Sequence, residues 1–165
     1  MIIPFLPIYL LELGVPKADV ALWSGLVFGI TFLIAGIMAP IWGKIADNKG
    51  KKRMALRAGF GIAICYVLIG LVTDQYQLLM GRALVGFANG FYPAAMTMVS
   101  LSVDEKQVGR ALGIFQTGLI LGNVIGPFLG GAVESVVGMR PVFYVSGVAV
   151  LIATLAVLFF VKEPK

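Results

Sequence analysis

The 165-residue chain is 59% hydrophobic and only 13% charged, with a formal net charge of +5 and a mean hydropathy of +0.98. Such a composition excludes a water-soluble domain, and a chain with no histidine and one cysteine, Cys65, lacks both the ligands of a zinc site and the second half of an intrachain disulfide. Six of the thirteen cations lie between Lys44 and Arg57 with long apolar runs on either side, so the positive charge marks membrane topology and not a nucleic-acid partner.

Met1 is followed directly by apolar residues, without the basic start and small-residue cleavage site of a signal peptide. Residues 1–13 would give roughly 20 Å of helix, short of the roughly 30 Å hydrocarbon core, and read as the second half of a first helix whose beginning lies upstream. A small loop with Gly14, Pro16, Lys17 and Asp19 leads to residues 20–42, an uncharged stretch long enough to span with some tilt. Trp23 and Trp42 sit near its ends, where headgroup level suits an indole. Residues 43–53 form the strongly basic run and are predicted as a loop, followed by a third span, 54–73, that contains Cys65 as packing filler. After a tight turn at Asp74 the fourth span covers 76–100, the fifth 111–133 and the sixth 141–161, joined by a polar loop at 102–110 and a short one at 134–140.

Counting cations tests this alternation, because the Lys and Arg of short loops set orientation. Lys44, Lys49, Lys51, Lys52, Arg53, Arg57, Lys106, Arg110, Lys162 and Lys165 fall on one side, and only Lys17 and Arg140 on the other. The basic run and the C-terminus are therefore expected in the cytoplasm of a multi-pass plasma-membrane protein. An internal echo at an offset of 87 residues sets Gly43, Asp47, Gly50 and Lys52 beside Gly130, Glu134, Gly138 and Arg140, with one residue of slippage. Two three-helix units of opposite orientation would produce it, and so could chance.

Three constellations stand out. In the fifth span Gly118, Gly122, Gly126-Pro127 and Gly130-Gly131 return glycine every fourth residue, which reads as a helix-packing seam, or, with Pro127 removing a backbone donor, as a sliding or sealing surface. Arg82 is the one fully intramembrane charge, about six residues inside the end of its span. Such a charge by default marks a water-lined path, with snorkelling as the competing reading. Gly86, Asn89, Pro93 and Thr97 continue its face at helical spacing, and Gln116, Asn123, Tyr66, Phe91 and Tyr92 could join the same lining, although each alone is more often packing. In the basic run Asp47 stands four before Lys51 and can pair with it or face the N-terminus of a neighbouring helix, while Lys49, Lys52, Arg53 and Arg57 read as anchors to anionic lipid. With the acids confined to loops, no catalytic set or metal cluster can be assembled, and neither an enzyme nor a bound cofactor is expected.

Three of these runs resemble motifs of the major facilitator superfamily and, within it, of the twelve-helix drug/proton antiporters. Gly43-x3-Asp47-x2-Gly50-Lys51-Lys52 is similar to the loop motif between helices 2 and 3, with Asn48 where the family usually has a basic residue. Arg82-x3-Gly86 resembles the fourth-helix motif, and Gly122-x3-Gly126-Pro127-x2-Gly130-Gly131 the fifth-helix motif of the antiporter branch. The resemblance implies an all-α six-helix bundle of inverted three-helix repeats with a truncated first helix, the N-terminal half of an exporter that exchanges hydrophobic or cationic compounds for protons. In it Asp47 would latch a helix of the missing C-terminal bundle, Arg82 would take part in coupling, and the fifth-helix glycines would seal the bundle interface. The 165 residues alone should insert without transporting. A sugar or amino-acid transporter of the same superfamily is the alternative within transport, and a small membrane assembly protein with the glycine seam as docking face the alternative outside it.

Overall fold

The computed structural model describes residues 5–161, and among these the architecture is entirely helical. In chain order the helices are α1 (Leu6–Glu12), α2 (Val20–Lys49), α3 (Lys51–Gly70), α4 (Gln75–Ala88), α5 (Phe91–Leu101), α6 (Val108–Val137) and α7 (Met139–Phe160), with a 3-10 turn at Glu105–Gln107. Five segments are long and apolar enough to cross a membrane: α2, α3, the stretch Gln75–Leu101 that joins α4 and α5, the stretch that contains α6, and α7. Residues 1–4 of the expected first helix, and Lys162 and Lys165 of the basic side, lie outside the described residues.

The largest differences from the predictions fall on three elements. The basic run is not a loop: α2 continues through Gly43 and Asp47 to Lys49, and Gly50 alone turns the chain into α3. Gly50 adopts φ 95°, a conformation open to glycine without a Cβ clash, so one residue suffices where other sequences need several. Lys49 in the last turn also suits the negative end of the helix dipole. The fourth span, predicted as one helix, is broken at Asn89 and Gly90, where φ reaches +135°. The fifth runs further than expected at both ends and passes through Pro127 without interruption.

The helix ends expose the internal repeat. The 30-residue helices α2 and α6 begin and end 88 positions apart, each is followed by a single positive-φ glycine, Gly50 or Gly138, and each then turns directly into α3 or α7. The offset is thus 88 and not 87. Gly43 pairs with Gly131, Gly50 with Gly138 and Lys52 with Arg140, while Glu134 has no acidic counterpart. These equivalences are physical as well as sequential. Lys52 Nζ, in the first turn of α3, donates to the Leu158 carbonyl near the end of α7 at 2.8 Å, and Arg140, in the first turn of α7, donates to the Val72 carbonyl just past the end of α3 at 3.4 Å. Each cation caps the other helix's C-terminus, where freed carbonyls and the dipole favour it. Between the caps, Gly59 and Gly147, again 88 apart, admit the partner helix: a Cβ on Gly59 would run into the Thr154 side chain, and one on Gly147 would lie 3.3 Å from the Ala63 carbonyl oxygen. α3 and α7 form the most extensive interface of the bundle.

The packed core lies at the end opposite the lysines. Tyr9 and Leu10 of α1, Val27 of α2, Ile69 of α3, Leu78 of α4 and Phe143 of α7 are all fully buried in one cluster. Tyr9 stacks at a tilt on Phe143, ring centroids 4.8 Å apart, and its hydroxyl donates to the Ile69 carbonyl at 2.9 Å. Trp23 is held there against Tyr76, edge to face at 5.1 Å, and buried Cys65 fills space in the same cluster. At the lysine end the core shrinks to Ala55, Ala94 and Met98, and clefts open around it.

Candidate functional site

The break in the fourth span organises the lysine end. Pro93 has no N–H, so the Asn89 carbonyl has no donor four residues on, and the turn at Gly90 frees the carbonyls of Phe87 and Ala88 as well. Neighbouring helices supply what the backbone cannot. Trp42 Nε1 on α2 donates to the Phe87 carbonyl at 2.9 Å, and Arg57 Nη2 on α3 donates to the Ala88 and Asn89 carbonyls at 3.2 and 3.4 Å. The guanidinium lies over the indole, 3.6 Å from its centroid, and the indole stands edge-on to Phe87. The Asn89 side chain accepts the Gly90 N–H at 2.8 Å. A carbonyl withdrawn from water without a donor costs roughly 1–3 kcal/mol, and a guanidinium on an indole face adds about 0.5–2 kcal/mol. Arg57 and Trp42 thus supply donors to all three freed carbonyls, the two that Arg57 serves being partly buried. Neither residue was assigned this part: Trp42 was expected among headgroups and Arg57 on lipid. The signal in the sequence was Asn89-Gly90 with proline four residues after the asparagine.

Beside the break lies a cleft of about 470 Å³ between α2, α3 and α5. Its walls include Trp42, Gly43 and Asp47 of α2, Lys51 of α3, Asn89 and Gly90 at the break, and Tyr92, Pro93 and Thr97 of α5. The motif residues Gly43, Asp47 and Lys51 thus share one cavity with the downstream part of the polar stripe. Asp47 approaches Lys51 at 3.5 Å, the only ion pair among the described residues. The pair bridges the end of α2 and the start of α3, with Gly50 between, and is not a contact within one helix. Most of the Asp47 side chain stays in solvent, so it keeps acceptor capacity for another partner.

The stripe that begins at Arg82 divides at the break. Arg82 and Gly86 do not line the cleft; they turn into the bundle against α2. Gly86 is a packing residue, since a Cβ there would lie 2.5 Å from the Thr31 carbonyl oxygen and 3.2 Å from Ile34 Cβ. One turn earlier the Thr31 hydroxyl donates to the Arg82 carbonyl at 3.1 Å. Arg82 is 5% exposed, and its Nε and Nη2 have no hydrogen-bond partner among the described residues. It does not snorkel. Two buried guanidinium nitrogens without a protein partner carry a desolvation cost that no contact among the described residues offsets.

The remaining candidates are spread over α6. Gln116 Nε2 donates to the Tyr92 hydroxyl at 2.8 Å, and Tyr92 stacks on Phe115, so Gln116 reaches the cleft only through Tyr92. Asn123 is exposed and lies apart from the cleft. Phe91 lines a second, apolar cleft of about 310 Å³, and Tyr66 packs on the core. Of the glycine motif only Gly130 is buried; Gly131 faces Phe5, while Gly118 and Gly122 have nothing within 4 Å of a Cβ position. Gly126 and Pro127 are partly exposed. The seam therefore finds little to pack on within the described residues. α2 shows the same openness at Gly25, Gly29, Gly36 and Gly43.

Apolar spanning helices, an inverted repeat and a cleft at the lysine end together define a multi-pass helical membrane protein of transporter architecture. The chain belongs to the Major Facilitator Superfamily, whose family model it matches over residues 1–165. A multidrug resistance protein MdtG of Proteus mirabilis (strain HI4320) is 44% identical to it over 164 residues, which is 99% of this chain and 41% of that protein. Proteins of the same name from Dickeya zeae (strain Ech586) and Citrobacter koseri (strain ATCC BAA-895 / CDC 4225-83 / SGSC4696) are each 42% identical over 164 residues, 99% of this chain and 40% of theirs. The chain spans about two fifths of the length of these curated relatives.

Proposed function

We propose that these residues form the amino-terminal bundle of a secondary transporter of the plasma membrane that exports hydrophobic or cationic drugs in exchange for protons. The observation that carries this reading is identity above 40% along virtually the whole chain to proteins named for multidrug resistance. The cleft at the lysine end, with Asp47 and the faces of Tyr92 and Pro93 in its walls, suits an amphipathic cation. By the positive-inside rule that end faces the cytoplasm, and so does the C-terminus.

In this reading α2 and α6 are the faces on which a second bundle rocks, because their glycines are open and most of their surface is unburied. Asp47 holds one end of that contact, Gly122, Gly126, Pro127, Gly130 and Gly131 seal the other, and Arg82 couples the motion to protons. No bound cofactor is required; the proton gradient supplies the energy. The test is export of a fluorescent cation from cells that express the full-length chain. Asp47→Asn should lower export at least fivefold while Lys49→Gln leaves it within twofold. Equal, wild-type export from both variants would return the α2–α3 junction to a topology marker.

A further inference from the structure

We infer that Arg57 is a positioning residue for transport: with Trp42 it clasps the break in the fourth span and sets the direction in which α5 enters the cleft. The inference rests on the transport reading above, but its geometry stands without it. Arg57 and Trp42 come from two different helices, and both end on the three consecutive carbonyls that the break exposes. The guanidinium carbon lies 3.6 Å from the indole centroid while its Nη2 serves two carbonyls. A lysine ammonium could also donate to two carbonyls from its one nitrogen, but it lacks the delocalised, weakly hydrated guanidinium that sits over the indole face. Downstream of the break α5 brings Tyr92, Pro93 and Thr97 to the cleft wall, and Tyr92 in turn holds Gln116 of α6. A rotation about Gly90, which has no Cβ to resist it, would move all of them together. The clasp is what opposes that rotation.

The test uses the full-length transporter with Arg57→Lys, Arg57→Gln and the milder Trp42→Phe, which keeps the ring and removes the N–H. Two readouts are taken. One is KM and maximal rate of drug transport. The other, on a Thr97→Cys background, is the labelling rate of that cysteine by a membrane-impermeant maleimide in inside-out vesicles. Both Arg57 variants should raise KM for drug at least fivefold and change the labelling rate at least threefold, and Trp42→Phe should change labelling about twofold. Arg57→Lys with KM and labelling both within twofold of wild type would overturn the inference and leave Arg57 a lipid anchor. If wild type moves no drug, the transport reading fails and labelling alone decides the clasp; if the Arg57 variants do not accumulate, Trp42→Phe decides it by the same labelling threshold.

Discussion

Arg82 and Gly86 sit one turn apart, yet their sequence motif conceals two different physical duties. Gly86 is small because the Thr31 carbonyl oxygen would lie 2.5 Å from any Cβ. Gly86→Val therefore overpacks the contact between α2 and α4, at about 1–3 kcal/mol, and should lower the thermal midpoint of the purified protein by several degrees whatever it does to transport. Arg82 is the reverse case. Its guanidinium is buried with two nitrogens unpartnered, so the folded bundle gains little from it. Exchange of a buried charge for an apolar side chain is often neutral or stabilising. Arg82→Met should leave the thermal midpoint unchanged or higher while proton-driven transport falls more than tenfold; a lower midpoint with transport retained would make Arg82 structural. Arg82 was legible in the sequence because every other charge lies near the end of its span. The roles of Arg57 and Trp42 were not, because their acceptors exist only where the helix breaks.

At the scale of elements, α3 and α7 are an antiparallel pair held by reciprocal caps and by glycines at equivalent positions. The turn glycines should be the sensitive points. Gly50 and Gly138 both combine positive φ with extended ψ, a region that is essentially glycine's alone and costs other residues roughly 1–3 kcal/mol, so Gly50→Ala and Gly138→Ala should each lower thermal stability by a similar amount. A much larger loss at one of them, read by the same thermal unfolding assay, would show that the two halves are not equivalent. Five of the stretches picked out by hydropathy coincide with helical segments long and apolar enough to cross a membrane, because an apolar stretch of about 20 residues is a strong signal. It did not place the ends of α2 and α6, since their charged terminal turns, with Lys44, Asp47 and Lys49 in one and Arg110 and Glu134 in the other, look like loops in composition although their backbone is helical. The repeat was visible but displaced by one residue, because Glu134 offered a chemically attractive but spurious match for Asp47; helix ends, not charges, fix the offset.

For the whole molecule, the decisive contrast is between a packed end around Tyr9 and Phe143 and a lysine end opened by clefts, flanked by two long helices that bury little of themselves. Sequence legibility was highest here: fold class and family followed from the motifs, because their residues serve turns, close approaches and a buried charge that few folds need together. The cleft itself could not be read, since it depends on the break and on which helices meet at it. The central claim is that this bundle works as half of a proton-coupled drug exporter, and it is tested most directly in proteoliposomes holding the full-length chain, loaded with a pH gradient and presented with a fluorescent organic cation. The account predicts accumulation of the dye that collapses when an ionophore dissipates the gradient, and none with the 165-residue chain alone. No dye movement under the gradient, or movement indifferent to the ionophore, would contradict it.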